Sequence, residues 1–260
     1  MNIKHCLNLG LLVWLLFTGN SMAQTHSMVL VKGGKYKPIY GKDSSLISVS
    51  SFHMDVYPVT NSDFIQFVKT NSQWKKSKVK GIFADGNYLS TWVNDTTLSQ
   101  VLKMNSPVTN VSWFAANDYC KCQGKRLPSL DEWEYAAMAN ESMPDARQLE
   151  NYNKYILSWY ETPKTYTNLV GKTYKNYWGI YDMHGLVWEW IDDFNSVLMS
   201  GESRKDGSND RALFCGSASL GASDLMNYAA FMRYAFRGSI KAKYNIQNLG
   251  FRCVKDIPKK

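Results

Sequence analysis

The chain has 260 residues, of which 45% are apolar and 14% aromatic, so it can bury a substantial core and general disorder is not expected. Its formal charge of +8 is compatible with binding to nucleic acid, an anionic surface or an acidic partner. The basic residues are scattered, apart from the run WKKSKVK at residues 74–80, which we interpret as a solvated loop. The composition therefore favours one globular domain that does not bind nucleic acid.

The N-terminal segment has the features of a secretory signal peptide. Lys4 precedes an apolar run at residues 7–17, and Ser21 and Ala23 place small residues where a signal peptidase reads the chain. A membrane anchor is the weaker alternative, because the run is much shorter than the about 20 residues that span a bilayer. We predict a signal peptide at residues 1–23, a single domain at residues 24–260, and an exported protein, periplasmic or secreted, whose mature form has no membrane span.

Alternating apolar and polar residues predict two early strands, at residues 28–36 and 52–57. The first contains a Gly-Gly pair that is typical of a bulge or turn. After Pro58, Thr60 or Asn61 is expected to cap a helix. Residues 70–105 have no clear period and are predicted to form a long loop, pinned by aromatic side chains, with short strands.

The central segment at residues 119–137, YCKCQGKRLPSLDEWEYAA, predicts the end of one helix and the start of another. The first helix would begin at Ser112 and stop at Gly124, since glycine takes the left-handed closing conformation without a clash. Pro128 prevents continuation, and Ser129 with Glu132 has the spacing of a capping box.

The second half of the chain shows a weaker pattern. Residues 140–168 are predicted to be irregular, the end of 179–190 to be a core strand, and 212–220 and 249–254 to be the final paired strands. Periodicity does not decide between helix and strand for residues 228–238, and we favour strand for 232–236. Neither an internal repeat nor a linker is visible.

Five cysteines are present, and Cys6 lies in the predicted signal peptide, which leaves Cys120, Cys122, Cys215 and Cys253. An even number in an exported chain favours disulfides. Cys120 and Cys122 point to opposite sides of a helix, so they need different partners or fates. A Cys-X-Cys metal site stays an alternative, although no histidine lies near a cysteine in the sequence.

A series of ordered segments resembles the motifs of the sulfatase-modifying-factor, or formylglycine-generating-enzyme-like, family. The segments are MVLVKGGKY at 28–36, YPVTN at 57–61, PVTNVSW at 107–113, GKRLPSLDEWEYAA at 124–137, GIYDMHGLVWEW at 179–190 and NLGFRC at 248–253. The resemblance covers nearly the whole mature chain. It implies an α+β, C-type-lectin-like fold of the formylglycine-generating-enzyme type, with little regular structure, long loops and a disulfide between Cys120 and Cys253.

The resemblance also implies a loss of the family's chemistry. Active members bind Cu(I) through two cysteine thiolates and oxidise a substrate cysteine to formylglycine. The corresponding positions here are Leu220 and about Ala229, and neither side chain can bind copper. Cys122 and Cys215 leave two alternatives. In the first they have a structural role, as a second disulfide or as two buried thiols. In the second they form a displaced copper site.

Two further family sites are partly retained. Ser217 matches a serine of the oxygen pocket, and a serine packed in a strand is the structural alternative. Leu186 replaces an asparagine of the calcium set, so Glu189 is the one matching side-chain ligand and a weak candidate for a structural calcium. Copper is not expected as a cofactor.

The segments CGSASL at 215–220 and YAAFMRYAFR at 228–237 are similar to a cysteine-less, NirV-type branch of the family that is associated with copper nitrite reductases. This likeness implies a partner-binding groove formed by Ser217, Trp188, Arg233, Tyr234 and Arg237. For the arginines, the alternative is ordinary pairing with acidic groups at the groove rim.

Together these features predict an exported, non-catalytic accessory or binding protein for a periplasmic oxidoreductase such as a copper nitrite reductase. Its partner would be an exported enzyme or a peptide segment. The competing hypothesis is an active oxidase of the formylglycine-generating type that uses relocated Cys122 and Cys215.

Overall fold

The computed structural model describes residues 27–39, 46–195 and 225–258, with side chains from residue 228 onward in the last range. The predicted signal peptide and the predicted strand at residues 212–220 lie outside the described residues. Cys215, Ser217 and Leu220 also lie outside them.

Three small sheets lie within these ranges. In the first, β4 (Phe52–Asp55) lies between β1 (Met28–Val31) and β7 (Val254–Asp256), and both neighbours are antiparallel to it. The second pairs β2 (Gly34–Tyr36) with β3 (Ile47–Val49), and the third pairs β5 (Trp188–Trp190) in parallel with β6 (Leu249–Phe251). The C-terminal strands therefore hold the N-terminal strands and the middle of the chain together.

Five helices accompany the sheets in the described part of the chain: α1 (Asn61–Thr70), α2 (Trp113–Cys122), α3 (Leu130–Ala137), α4 (Glu150–Glu161) and α5 (Leu225–Ser239). Short 3₁₀ turns occur at Ser72–Trp74 and Thr165–Thr167. Mixed helices and strands agree with the predicted α+β class.

The predicted helix boundaries around the central segment are confirmed. Ser112 caps α2, and Gly124 follows the helix with φ of +65°. Ser129 caps α3 and forms the predicted capping box with Glu132, in which each side chain accepts the other residue's backbone N–H. For α1, the cap is Thr60 rather than Asn61.

Two predictions are wrong. Residues 232–236 belong to helix α5 rather than to a strand, and residues 140–168 include helix α4. The buried face of α5 carries Arg233 and Arg237 beside Ala229, Ala230 and Tyr234, so buried charges interrupt its apolar stripe. Helix α4 lacks a side-chain cap at its start, which removed the usual signal for its N-terminus.

The disulfide that the family resemblance implies is present between Cys120 and Cys253. Both cysteines are completely buried, and the bond ties α2 to the segment between β6 and β7. Beside it, the rings of Tyr119 and Phe251 meet edge to face at 5.3 Å, and Phe64 stacks on Tyr119. The bond therefore closes a loop through the centre of the core.

None of the helices in the described ranges is long and apolar enough to cross a membrane.

Loss of this bond should strongly destabilise the fold. The two cysteines are 133 residues apart, and closing a loop of that length restricts the unfolded chain by about 4 to 5 kcal/mol. We expect the Cys120→Ala/Cys253→Ala double variant to lose stability of that order in chemical denaturation. Cys122→Ser, which changes an exposed free thiol, is the matched control and should behave like the wild type.

Candidate functional site

An aromatic wall marks the candidate site, at the meeting of α4, β5 and α5. The ring of Trp188 lies 4.7 Å from Tyr160 and 4.8 Å from Phe236, measured between centroids, and it stacks on Phe236 at 23°. All three side chains are half-buried. They border a cavity of about 60 Å³ that Trp159, His184 and Arg237 also line. We call this feature the aromatic cleft.

Beneath the cleft, two arginines share one carboxylate. Arg233 donates from Nε to Glu134 Oε1 at 3.0 Å and from Nη2 to Oε2 at 2.8 Å. Arg237 donates from Nη1 to Oε1 at 2.6 Å, and its guanidinium lies 4.6 Å above the ring of Trp133. All three charged residues are less than 10% exposed. The spacing of four residues on α5 places both arginines on the face that meets α3.

Glu134 stays ionised in this setting. Burial by itself would raise the pKa of its carboxyl, but the charges and hydrogen bonds of Arg233 and Arg237 outweigh that effect and lower the pKa to about 2.

A second ion pair lies deeper, between Glu189 of β5 and Arg252. Neither side chain is exposed, and Arg252 donates to the carboxylate from Nε at 2.9 Å and from Nη2 at 2.8 Å. The remaining guanidinium donors reach the carbonyls of Asp55 and Tyr181. Trp133 Nε1 donates to Glu189 Oε2 at 2.8 Å, so Trp133 contacts both charge clusters.

His184 is the buried titratable group between the clusters. Its Nε2 lies 2.8 Å from the carbonyl oxygen of Ala137, which can only accept, so Nε2 carries the proton. Its Nδ1 then keeps a lone pair, and this buried atom has no hydrogen-bond partner in the described part of the chain. Burial, together with the charge of Arg233, lowers the pKa of His184 to about 3, so the ring is neutral at physiological pH.

Of the predicted groove residues, Trp188, Arg233 and Arg237 meet at the aromatic cleft. Tyr234 lines a neighbouring cavity of about 10 Å³ instead, and Ser217 lies outside the described residues. The arginines do pair with an acid, but Glu134 is buried under the cleft rather than placed at its rim. Ala229 is buried in α5, against Tyr152 and Ile156 of α4.

Cys122 is exposed at the end of α2 and has a free thiol. Its Sγ lies 3.7 Å from Asn71 Oδ1, and local desolvation and the charge of Asp118 raise the pKa of the thiol. Because Cys215 lies outside the described residues, pairing of the two cysteines stays a prediction.

Glu189, the candidate calcium ligand, directs both oxygens to Arg252 and Trp133. Among the described residues, no three His, Cys, Asp or Glu side chains form a group that could hold a metal ion. A calcium ion at Glu189 would have to compete with a buried guanidinium.

Glu134, His184 and Arg252 are site residues that sequence reasoning missed. In the sequence Glu134 follows Asp131 and Glu132 and looks like one more acidic residue at a helix start, although only Asp131 and Glu132 occupy the first turn of α3. Two arginines four residues apart, next to small and aromatic residues, were the available signal for a charged inner face of α5.

The fold and site together define an α+β domain with a buried charge network under an aromatic cleft. A family profile described as "Sulfatase-modifying factor enzyme 1-like domain" matches residues 16–257, and the chain belongs to this family.

The relatives of this chain include proteins named as formylglycine-generating enzymes and proteins named as inactive forms of that enzyme. The chain is 27% identical to the formylglycine-generating enzymes of Mus musculus and Streptomyces coelicolor, over 81% of its own length and 67% and 80% of theirs. It is 25% identical to the inactive C-alpha-formylglycine-generating enzyme 2 of Mus musculus, over 94% of its own length and 91% of the relative. Family membership is therefore compatible with either a catalytic or a non-catalytic role.

The structure of PvdO from Pseudomonas aeruginosa has a similar fold, with a TM-score of 0.50 and 19% identity. The match covers 88% of this chain and 94% of that one.

The state of His184 predicts an acid-sensitive fold. Its pKa of about 3 in the folded chain lies below the value of about 6.5 expected after unfolding, so the unfolded chain binds more protons at intermediate pH. Stability should therefore fall from pH 6.5 downward, by about 2 to 3 kcal/mol at pH 4.5. Denaturant titrations at a series of pH values would measure this loss. His184→Gln should abolish this loss of stability between pH 6.5 and 4.5. If the unfolding free energy of the variant fell as steeply with pH as that of the wild type, the loss could not be attributed to His184.

Proposed function

We propose that this chain is a non-catalytic binding or accessory protein, and that the aromatic cleft holds a segment of an exported oxidoreductase. A copper nitrite reductase, the partner associated with the NirV-type branch, is the first candidate. One observation carries the proposal: among the described residues, the groups under the cleft form structural charge pairs, and no cysteine lines it.

The chemistry of the family requires thiolates that can hold Cu(I). By the family resemblance the corresponding positions are Leu220 and about Ala229, and Ala229 is packed between helices. The neutral His184 has a single free nitrogen and no neighbouring thiol among the residues that line the cleft. Relatives named as inactive formylglycine-generating enzymes support a non-catalytic role.

The cleft suits a binding role because half-buried aromatic rings offer a large contact area with few rotatable bonds. One of these rings is tied to the ion network beneath it, because Arg233 Nη1 donates to the hydroxyl of Tyr160 at 3.4 Å. A rigid, partly apolar groove of this kind favours a peptide segment over an open protein face.

Export is the second part of the proposal. A buried disulfide between distant parts of the chain is typical of proteins from oxidising compartments. The apolar N-terminal run and the small residues before position 24 support a signal peptide.

A single observation favours the competing function, an oxidase with relocated ligands: Cys122 is a free thiol. The structure describes this thiol on the surface at the end of α2, and it is not among the residues that line the cleft.

An oxidation assay separates the two functions. Mature protein supplied with Cu(I) and a peptide carrying the sulfatase motif C-x-P-x-R should form no aldehyde by mass spectrometry, while an active formylglycine-generating enzyme serves as the positive control. Aldehyde formation that disappears in the Cys122→Ser/Cys215→Ser variant would establish the relocated copper site and overturn the non-catalytic proposal.

The partner can be tested with purified copper nitrite reductase from the same organism. We expect saturable binding in biolayer interferometry, weakened by about tenfold or more in Trp188→Ala, because a central aromatic anchor is lost. Tyr177→Ala changes an exposed tyrosine that does not line the cleft and should bind like the wild type. Absence of binding would contradict this partner. So would an equal loss of affinity in Trp188→Ala and Tyr177→Ala, provided that both variants keep the thermal stability of the wild type.

A further inference from the structure

We infer that the aromatic cleft is a carboxylate-binding site, in which Arg237 receives the carboxylate and the stacked rings receive the group attached to it. The inference rests on the proposed function, since it names the chemistry that the cleft recognises.

The charges under the cleft do not balance. Arg233 and Arg237 face the single carboxylate of Glu134, and it is the only one that the described residues bring within ion-pair distance of either arginine. The neighbouring Glu189–Arg252 pair is neutral as a unit, and His184 is uncharged. The described cluster therefore holds one net positive charge under a small cavity. A buried charge without a counter-charge is costly, so binding of a monovalent anion is favoured there.

The hydrogen bonds show which arginine is available. Arg233 uses Nε and Nη2 on Glu134, and Nη1 on the carbonyl of Ala229 and the hydroxyl of Tyr160. Arg237 donates from Nη1 alone within the described ranges, which leaves its Nε and Nη2 donors for a ligand. Two N–H groups on one planar guanidinium fit the two oxygens of a carboxylate.

The shape of the cleft selects among anions. Its volume of about 60 Å³ admits a small planar group, and its wall is the stack of Trp188 and Phe236. A planar monoanion matches the single excess charge, whereas a divalent phosphate would leave a new excess of negative charge. A chain terminus of a partner and a free small acid both offer a planar carboxylate of this kind.

The direct test is a titration of the mature protein with small ligands at constant ionic strength, in which binding is measured by calorimetry and by tryptophan fluorescence. The ligands are N-acetylglycine, which has a carboxylate beside an N–H, N-acetylglycinamide, which lacks the carboxylate, and inorganic phosphate. We expect saturable binding of N-acetylglycine alone. A peptide with a free C-terminus and its C-terminally amidated form distinguish the sources: preference for the free peptide over N-acetylglycine assigns the site to a partner's terminus, and equal affinity assigns it to a small acid.

Arg237→Gln should weaken binding by about tenfold or more, since two charge-assisted hydrogen bonds are lost. Glu134 keeps its paired contacts with Arg233 in this variant, so the fold should persist. Arg237→Lys keeps the charge but not the planar guanidinium, so its affinity should lie between that of the wild type and that of Arg237→Gln. Arg126→Gln, which changes a surface arginine paired with Glu132 and Asp256, is the matched control and should bind like the wild type.

Failure to bind N-acetylglycine or the free peptide, or equal affinity of Arg237→Gln and the wild type, would overturn the site. If copper nitrite reductase still bound through Trp188 in that case, this inference alone would fail. If carboxylates bound while the reductase did not, the proposed partner would fail and the site would stand.

Discussion

The fully buried pair of Glu189 and Arg252 is the interaction on which the rest of the structure depends. It joins β5 to the segment after β6, and Arg252 also donates to carbonyls at the end of β4 and before β5. A charge without exposure to water is tolerated only when its hydrogen bonds are satisfied, so these elements must adopt one relative arrangement. The nearby Cys120–Cys253 disulfide holds the same junction covalently.

Trp133 transmits this arrangement to the candidate site. Its indole N–H is bound to Glu189, and its ring lies beneath the guanidinium of Arg237. The second charge cluster is therefore positioned by the first, and the aromatic cleft is positioned by both. For the proposed binding role this base matters, because a site that is ordered before its ligand arrives has a lower entropic cost of recognition.

Active enzymes and proteins named inactive share this family, and the chain resembles both at similar identity. Because function depends on the site and not on the fold alone, family membership does not decide between the two roles. In this chain, positively charged and aromatic groups surround the cleft, and the described cysteines are a structural disulfide and a surface thiol. Such a site is suited to hold a ligand through charge and stacking.

The sequence by itself determined the caps of α2 and α3, the first strands, and the motifs that indicate the family and its disulfide, because each depends on residues close together in the chain or on a family pattern. It did not determine α5, which we expected to contain a strand, or the role of Glu134. Only the tertiary structure decided these, since Arg233 and Glu134 are 99 residues apart and neither could be buried alone. In a helix that turns arginines inward, charged residues interrupt the apolar stripe, and the partner of those charges appears only when α3 and α5 are packed together.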